Sequence, residues 1–259
     1  MRRPLLSLVL ASFVLGACSW LPGGDDPGEA SEAQPTPTRQ MTLVDLGIDD
    51  WPKAQDAPLP APPKKPEGVS QEEYDRMVEA VERWARQAAT DPDALGEGLP
   101  DTLVRAIEDA AQAQTVPDLA RVTVLDDELE VRDSRMTAAW RVAREDGAVN
   151  LSLQTRTAYE VRAPEGRVRV IGVLRTQGVV ALPGAEQWGT IMGWQEFGAA
   201  DCAIALEQHL TPGGDLDDQL PDLTVFAGVG NADDAITPAL PDDKQVDDGF
   251  AEACRAGRV

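Results

Sequence analysis

The chain has 259 residues, a formal charge of −22, and 19 Arg against 4 Lys. So acidic a chain is repelled by nucleic acid and by anionic headgroups, which excludes both as electrostatic partners. Its single His, His209, excludes a His-based zinc cluster.

At the start, Arg2-Arg3 precede an apolar run from Leu5 to Leu15 that is too short to span a bilayer, and Leu15-Gly16-Ala17-Cys18 closes it with small residues. This succession of charge, apolar run, small residues and Cys resembles the lipobox of bacterial lipoproteins. The resemblance implies that residues 1–17 are a signal peptide removed on export. It implies that the Cys18 thiol carries diacylglycerol with fatty acyl chains such as palmitate. The protein then sits on the extracytoplasmic face of the cell membrane, lipid-anchored and not spanning it. Losing two Arg and no acid takes the charge from −22 to −24, so the acyl group, and no basic patch, makes the membrane a partner. The composition, rich in Arg, Ala and Asp, resembles that of high-GC bacterial proteins. The whole-chain pattern resembles actinobacterial lipoproteins, which implies no activity.

Export would place the other two Cys, Cys202 and Cys254, in an oxidising compartment. A disulfide is the economical reading, and it closes a loop of about 50 residues, worth about 4 kcal/mol of chain entropy. Two free thiols or a metal site are the alternatives, and a metal site lacks further ligands.

Residues 18–66 read as a lipid anchor followed by a flexible stalk. Pro, Gly, Asp, Glu, Ser and Thr dominate Pro22–Arg39, and the Pro-rich run Pro58–Pro66 favours polyproline II. One apolar island, Met41–Trp51, interrupts it and docks either on its own domain or on a partner. A globular domain spans 67–211. Ser70-Gln-Glu-Glu73 is a capping box that opens a helix of about 20 residues, with Tyr74, Met77, Val78, Val81, Trp84, Ala85 and Ala88 at helical spacing. Asp91-Pro92 ends it. A second helix runs from Asp101 or Thr102 to about Ala113, with Leu103, Ile107 and Ala110 as its stripe, and Pro117 stops any extension.

From Arg121 the period becomes two. Met136, Ala138, Trp140 and Val142 share one face; Glu145-Asp146-Gly147 turns; Val149–Val161 alternates cleanly; Ala163–Gly166 turns again. A long strand covers Arg167–Leu182, with Gly172 and Gly178 as candidate bulges or bends. Trp188, Thr190, Met192 and Trp194 share a face of a last strand ending near Phe197. Helices grouped before strands give an α+β domain, with N-terminal helices packed on a curved antiparallel sheet of four or more strands. That element order resembles the NTF2-like cone, a likeness that carries no site residue. Residues 212–259 hold 11 acids and 3 bases and form an acidic C-terminal tail, clamped by the disulfide, in which Leu223–Phe226 adds an edge strand or docks.

Specific chemistry is scarce. An EF-hand counted from Asp215 would need Gly and Glu where Leu220 and Phe226 stand. The acidic clusters read as solvated loops. No Gly-x-Ser-x-Gly elbow accompanies His209, which reads as a surface residue, and Gly228-Val-Gly230 is too short for a phosphate loop. No catalytic residue, cofactor or metal is expected. Trp84, Trp140, Tyr159, Trp188, Met192 and Trp194 either line an apolar pocket between sheet and helices or fill the core, and a filled core is expected. The function expected is a non-enzymatic interaction or assembly module of the cell envelope, with another envelope protein as partner. A small-ligand or lipid carrier using the pocket is the alternative.

Overall fold

The alternation that begins near residue 130 folds as a meander. Strands β1 (Glu130–Glu145), β2 (Ala148–Arg162), β3 (Val168–Ala181) and β4 (Trp188–Phe197) form an antiparallel sheet in the order β1-β2-β3-β4. The computed structural model describes residues 40–114, 116–182, 188–198, 204, 208–212 and 216–228. The leader at 1–17, Cys18, Cys202, Cys254 and the acidic stretch after residue 228 lie outside the described residues.

Asp146 and Gly147 both have positive φ, 48° and 82°, which makes the two-residue turn whose twist matches the strands it joins. Glu145 therefore pairs directly with Ala148. The register shifts between Val131 and Asp133 on β1, whereas β2–β3 and β3–β4 run in continuous register. Gly172 and Gly178 are thus not bulges. A Cβ at Gly172 would stand 2.9 Å from the Phe226 ring, so glycine there lets the ring lie on the sheet.

Helix α1 (Gln71–Thr90) starts where Ser70 Oγ accepts from Glu73 N at 3.1 Å. The Glu73 carboxylate does not fold back to complete a box; it accepts from Trp188 Nε1 at 2.6 Å and from Arg76. Tyr74, Met77, Val81, Trp84, Ala85 and Ala88 are buried, as the spacing requires. In α2 (Asp101–Gln112) the buried stripe is Leu103, Ile107 and Ala111, a strict four-residue step that displaces Ala110 to the half-buried flank. Pro117 does not stop a helix. It takes the first position of a short one, α3 (Pro117–Arg121), where its missing N–H costs nothing.

These helices cover one sheet face. The other face is covered from both ends of the described chain. Met41, Leu43 and Ile48 pack with Ala158, Val170, Leu174 and Phe197, and helix α4 (Leu216–Gly228) adds Leu216, Leu223 and Phe226. Leu223–Phe226 is therefore helical and docked, not an edge strand, because burial recurs at 216, 219, 223 and 226, a helical period.

Residues 40–66, expected as part of a flexible stalk, form a strap packed on the domain. Met41 N donates to Val168 O at 3.1 Å, and Met136 N to Pro52 O at 2.9 Å, so the strap rounds the β1 edge. It then reaches the helix side, where Ala54 and Ala57 are buried with Ala89 and Met136. Proline removes donors but keeps carbonyls. Trp140 Nε1 donates to Pro60 O at 3.0 Å and the Tyr74 hydroxyl to Pro63 O. The Pro-rich run is thus a row of acceptors held straight in advance.

Asp133 latches the strap to β1. Its carboxylate lies 2.8 Å from Arg135 Nη2 and 3.7 Å from Lys53 Nζ, while Arg135 Nη1 donates to Trp51 O at 2.8 Å. Burial alone would raise the Asp133 carboxyl; the Arg135 and Ser134 hydrogen bonds and the charges of Arg135 and Lys53 hold it below its ordinary value.

Two outcomes test the strap. Ile48→Ala should cost about 2–4 kcal/mol in urea unfolding, as for a buried core residue, whereas a residue on a free stalk would cost nothing. A carboxyl whose folded pKa lies below its unfolded value adds stability above the unfolded pKa and loses it as pH falls through the folded one. Asp133→Asn should therefore flatten the loss of stability below pH about 4, read from unfolding midpoints across an acid series.

Candidate functional site

The layer between sheet and helices is where the sequence placed the aromatic set, as pocket lining or as filled core, and strand alternation does bring the expected side chains there. Trp188, Thr190, Met192 and Trp194 lie opposite Ala181, Val179, Gln177 and Arg175 and share their helix-facing side. They do not enclose one space. Trp84, Trp140 and Trp188 pack in a cluster with Leu151, Leu153 and Val179, whereas Tyr159 and Trp194 pack with Ile171 and Val173. Met192 touches both clusters.

Burial and polar tips fix each ring. Trp84 is 0% exposed and Trp194 7%. Trp188 is half-buried and tied to Glu73, and Trp140 is half-buried on the edge strand and tied to the strap. The Tyr159 hydroxyl donates to Ala89 O at 2.5 Å, and burial pushes its pKa up. The aromatic set is therefore wall and filling at once.

Two side chains in this layer escaped the sequence reading. Arg175 is 2% exposed and Gln177 0%. The signal was present: in Arg167–Leu182, period two puts both on the side of Ile171, Val173 and Val179. Arg175 Nη1 donates to Leu119 O at 2.9 Å and Ala120 O at 3.1 Å, and Nη2 to Thr123 Oγ1 at 3.4 Å. It closes the carbonyl end of α3, where a cation is favoured. Burial pulls its pKa down to about 10, which leaves it charged at neutral pH. In the same layer, Arg175 Nε, Trp84 Nε1, the Thr155 hydroxyl and both amide atoms of Gln177 are buried without a hydrogen-bond partner. Thr155 lies directly opposite Arg175, and Gln177 follows on the same face. The layer thus carries a polar seam through an apolar core.

Two cavities open elsewhere. A surface cleft of about 720 Å³ is lined by Leu95, Gly96, Glu97, Asp101, Val104 and Arg105. A smaller one of about 200 Å³ continues it between Pro92, Ile107, Glu108, Arg121 and Val122. Their carboxylates and guanidiniums are mixed, and neither cavity is lined by the aromatic set. His209 is partly buried, not fully exposed, with Nε2 3.0 Å from Asp126 Oδ2. Among the described residues, no group of three His, Cys, Asp or Glu is placed to hold a metal ion. No helix of the described residues is long and apolar enough to cross a membrane.

Comparison with known proteins gives no match: no family model, no curated protein sequence and no solved structure is similar to this chain.

The seam sets up two opposite outcomes. Gln177→Leu removes two buried polar atoms that lack partners and should raise stability by about 1–3 kcal/mol. Arg175→Met strips the donors from two buried carbonyls and should lower it by about 1–3 kcal/mol. Unfolding in urea, with far-ultraviolet circular dichroism as the signal, distinguishes them.

Proposed function

We propose that this chain is a lipid-anchored protein of the extracytoplasmic face of a bacterial cell membrane, and that its domain is a non-enzymatic interaction or assembly module of the envelope. The observation that carries the anchoring is the run Arg2-Arg3, Leu5 to Leu15, and Leu15-Gly16-Ala17-Cys18. The reading takes Cys18 as the acylated residue, Cys202 and Cys254 as a disulfide pair, and another envelope protein as partner. The fold is read as NTF2-like, supported by three helices, α1 to α3, that precede a four-stranded antiparallel meander and cover one face of it.

Support for a module over a carrier comes from the layer between sheet and helices. Trp84, Met192 and Trp194 occupy the space an acyl chain would need, and Gln177 and Arg175 would put polar atoms against it. Twenty-one residues separate Cys18 from Gln40, where the described chain begins. Fully extended, they span at most about 70–75 Å. The domain on this reading works close to the bilayer.

Cys18→Ser should move the protein from the membrane fraction to the soluble fraction of cells, and from detergent to aqueous phase on extraction. Continued detergent partitioning of that variant would defeat the anchoring. Alkylation without reductant should leave Cys202 and Cys254 unlabelled, and labelling of both would remove the disulfide.

A further inference from the structure

We propose that β4 pairs with β4 of a second copy, antiparallel, about a two-fold axis at Ile191, to join two four-stranded sheets into one. The proposal does not depend on the lipid or on the envelope reading.

The two edges of the sheet are treated differently. The β1 edge has a register shift at Val131, charged Arg132, Asp133 and Arg135, and a strap hydrogen-bonded at Met136. Each of these blocks further pairing. On β4 the register is continuous and the one charged residue, Glu196, stands next to its end. Among the described residues, no strand pairs with its outer side. From Trp188 to Gln195 it holds no charge and no proline. An unpaired, uncharged edge is a template for another strand.

The sequence along that edge reads nearly the same in both directions: Trp188-Gly189-Thr190-Ile191-Met192-Gly193-Trp194. Antiparallel self-pairing centred on Ile191 therefore sets Trp188 opposite Trp194, Gly189 opposite Gly193, and Thr190 opposite Met192. Residues directly opposite stand about 4.5–5.5 Å apart, close enough for aromatic and apolar pairs to stabilise the ladder. On the face away from the helices, half-buried Ile191 meets its own copy, and the glycine pairs on either side add no side chain to that face. A slip of register breaks the pairing of like with like.

Charge opposes the approach of two copies at −22 each over most of their surfaces, and the uncharged run from Trp188 to Gln195 is where that repulsion is least. On the helix side, Thr190 Oγ1 donates to Ala106 O at 3.4 Å, so α2 packs on β4 itself. A two-fold pairing is self-complementary and closes at two copies.

The test uses the full chain carrying Cys18→Ser, so that no lipid drives association. Light scattering after gel filtration should give twice the chain mass. Ile191→Lys, which sets two ammonium groups against each other on the axis, should halve that mass with the circular dichroism spectrum unchanged. Under mild oxidation Ile191→Cys should cross-link to itself beyond the wild-type background. Gly193→Cys should not, whereas a mixture of Gly189→Cys and Gly193→Cys copies should. A monomeric wild type, an open series of larger masses, a dimer that survives Ile191→Lys, or self-linking of Gly193→Cys equal to that of Ile191→Cys would each overturn the proposal.

Discussion

Strand β3 is hydrogen-bonded along both edges and covered on both faces, and this double enclosure constrains the rest of the domain. A meander by itself offers one dry face. Here the second is dried by material from the two ends of the described chain, the strap before α1 and helix α4 after the sheet. The residues of β3 are accordingly apolar, small or paired, and Gln177, whose amide atoms lack partners, is the exception. Gly172 yields to the Phe226 ring, and Phe226 in turn meets Phe197 at 5.3 Å and Trp51 at 5.9 Å between ring centres. Arg175 is tolerated because three oxygens of α3 and Thr123 receive it.

Local pattern made the elements readable. Ser70 with Glu73 marked the start of α1, Asp146-Gly147 marked the first hairpin, and the alternation of Val149–Val161 fixed which way β2 faces. Side choice on β4 followed from period two alone. What the pattern could not show was who covers whom. The segment 52–66 looks like a spacer because proline breaks periodicity, yet its carbonyls find donors outside it, on nearby Tyr74 and on Met136 and Trp140 far along the chain. Pro117 reads equally as a stop or a start, and the residues after it decide. Helix α4 hid behind Pro221 and its acids, although Leu216, Leu223 and Phe226 already fell at helical intervals.

The candidate site divides in the same way. Trp84, Trp188, Met192 and Trp194 were legible as inward-facing, since spacing sets direction. Whether they surround a void or close it depends on volumes contributed by α1, α2 and β2 together, which no single segment records. Arg175 and Gln177 were masked by composition: in so charged a chain a polar residue on an inner face looks like noise in the alternation. Their burial is a cost that apolar residues there would avoid, and for Arg175 an end of α3 is held in exchange.

The strap also determines how the domain meets a load. Tension applied to the chain ahead of residue 40 arrives first at Met41, whose N–H is bonded to Val168 at the start of β3, and at Leu43, whose N–H is bonded to Glu160 on β2. Those two attachments stand on the most enclosed strands of the sheet. The helices are reached only after Pro52, Pro60 and Pro63 have been drawn off in turn. A pull from that end is therefore shared by the centre of the sheet before α1 can be peeled away, and the segment that looks least structured in the sequence is the one that takes the strain.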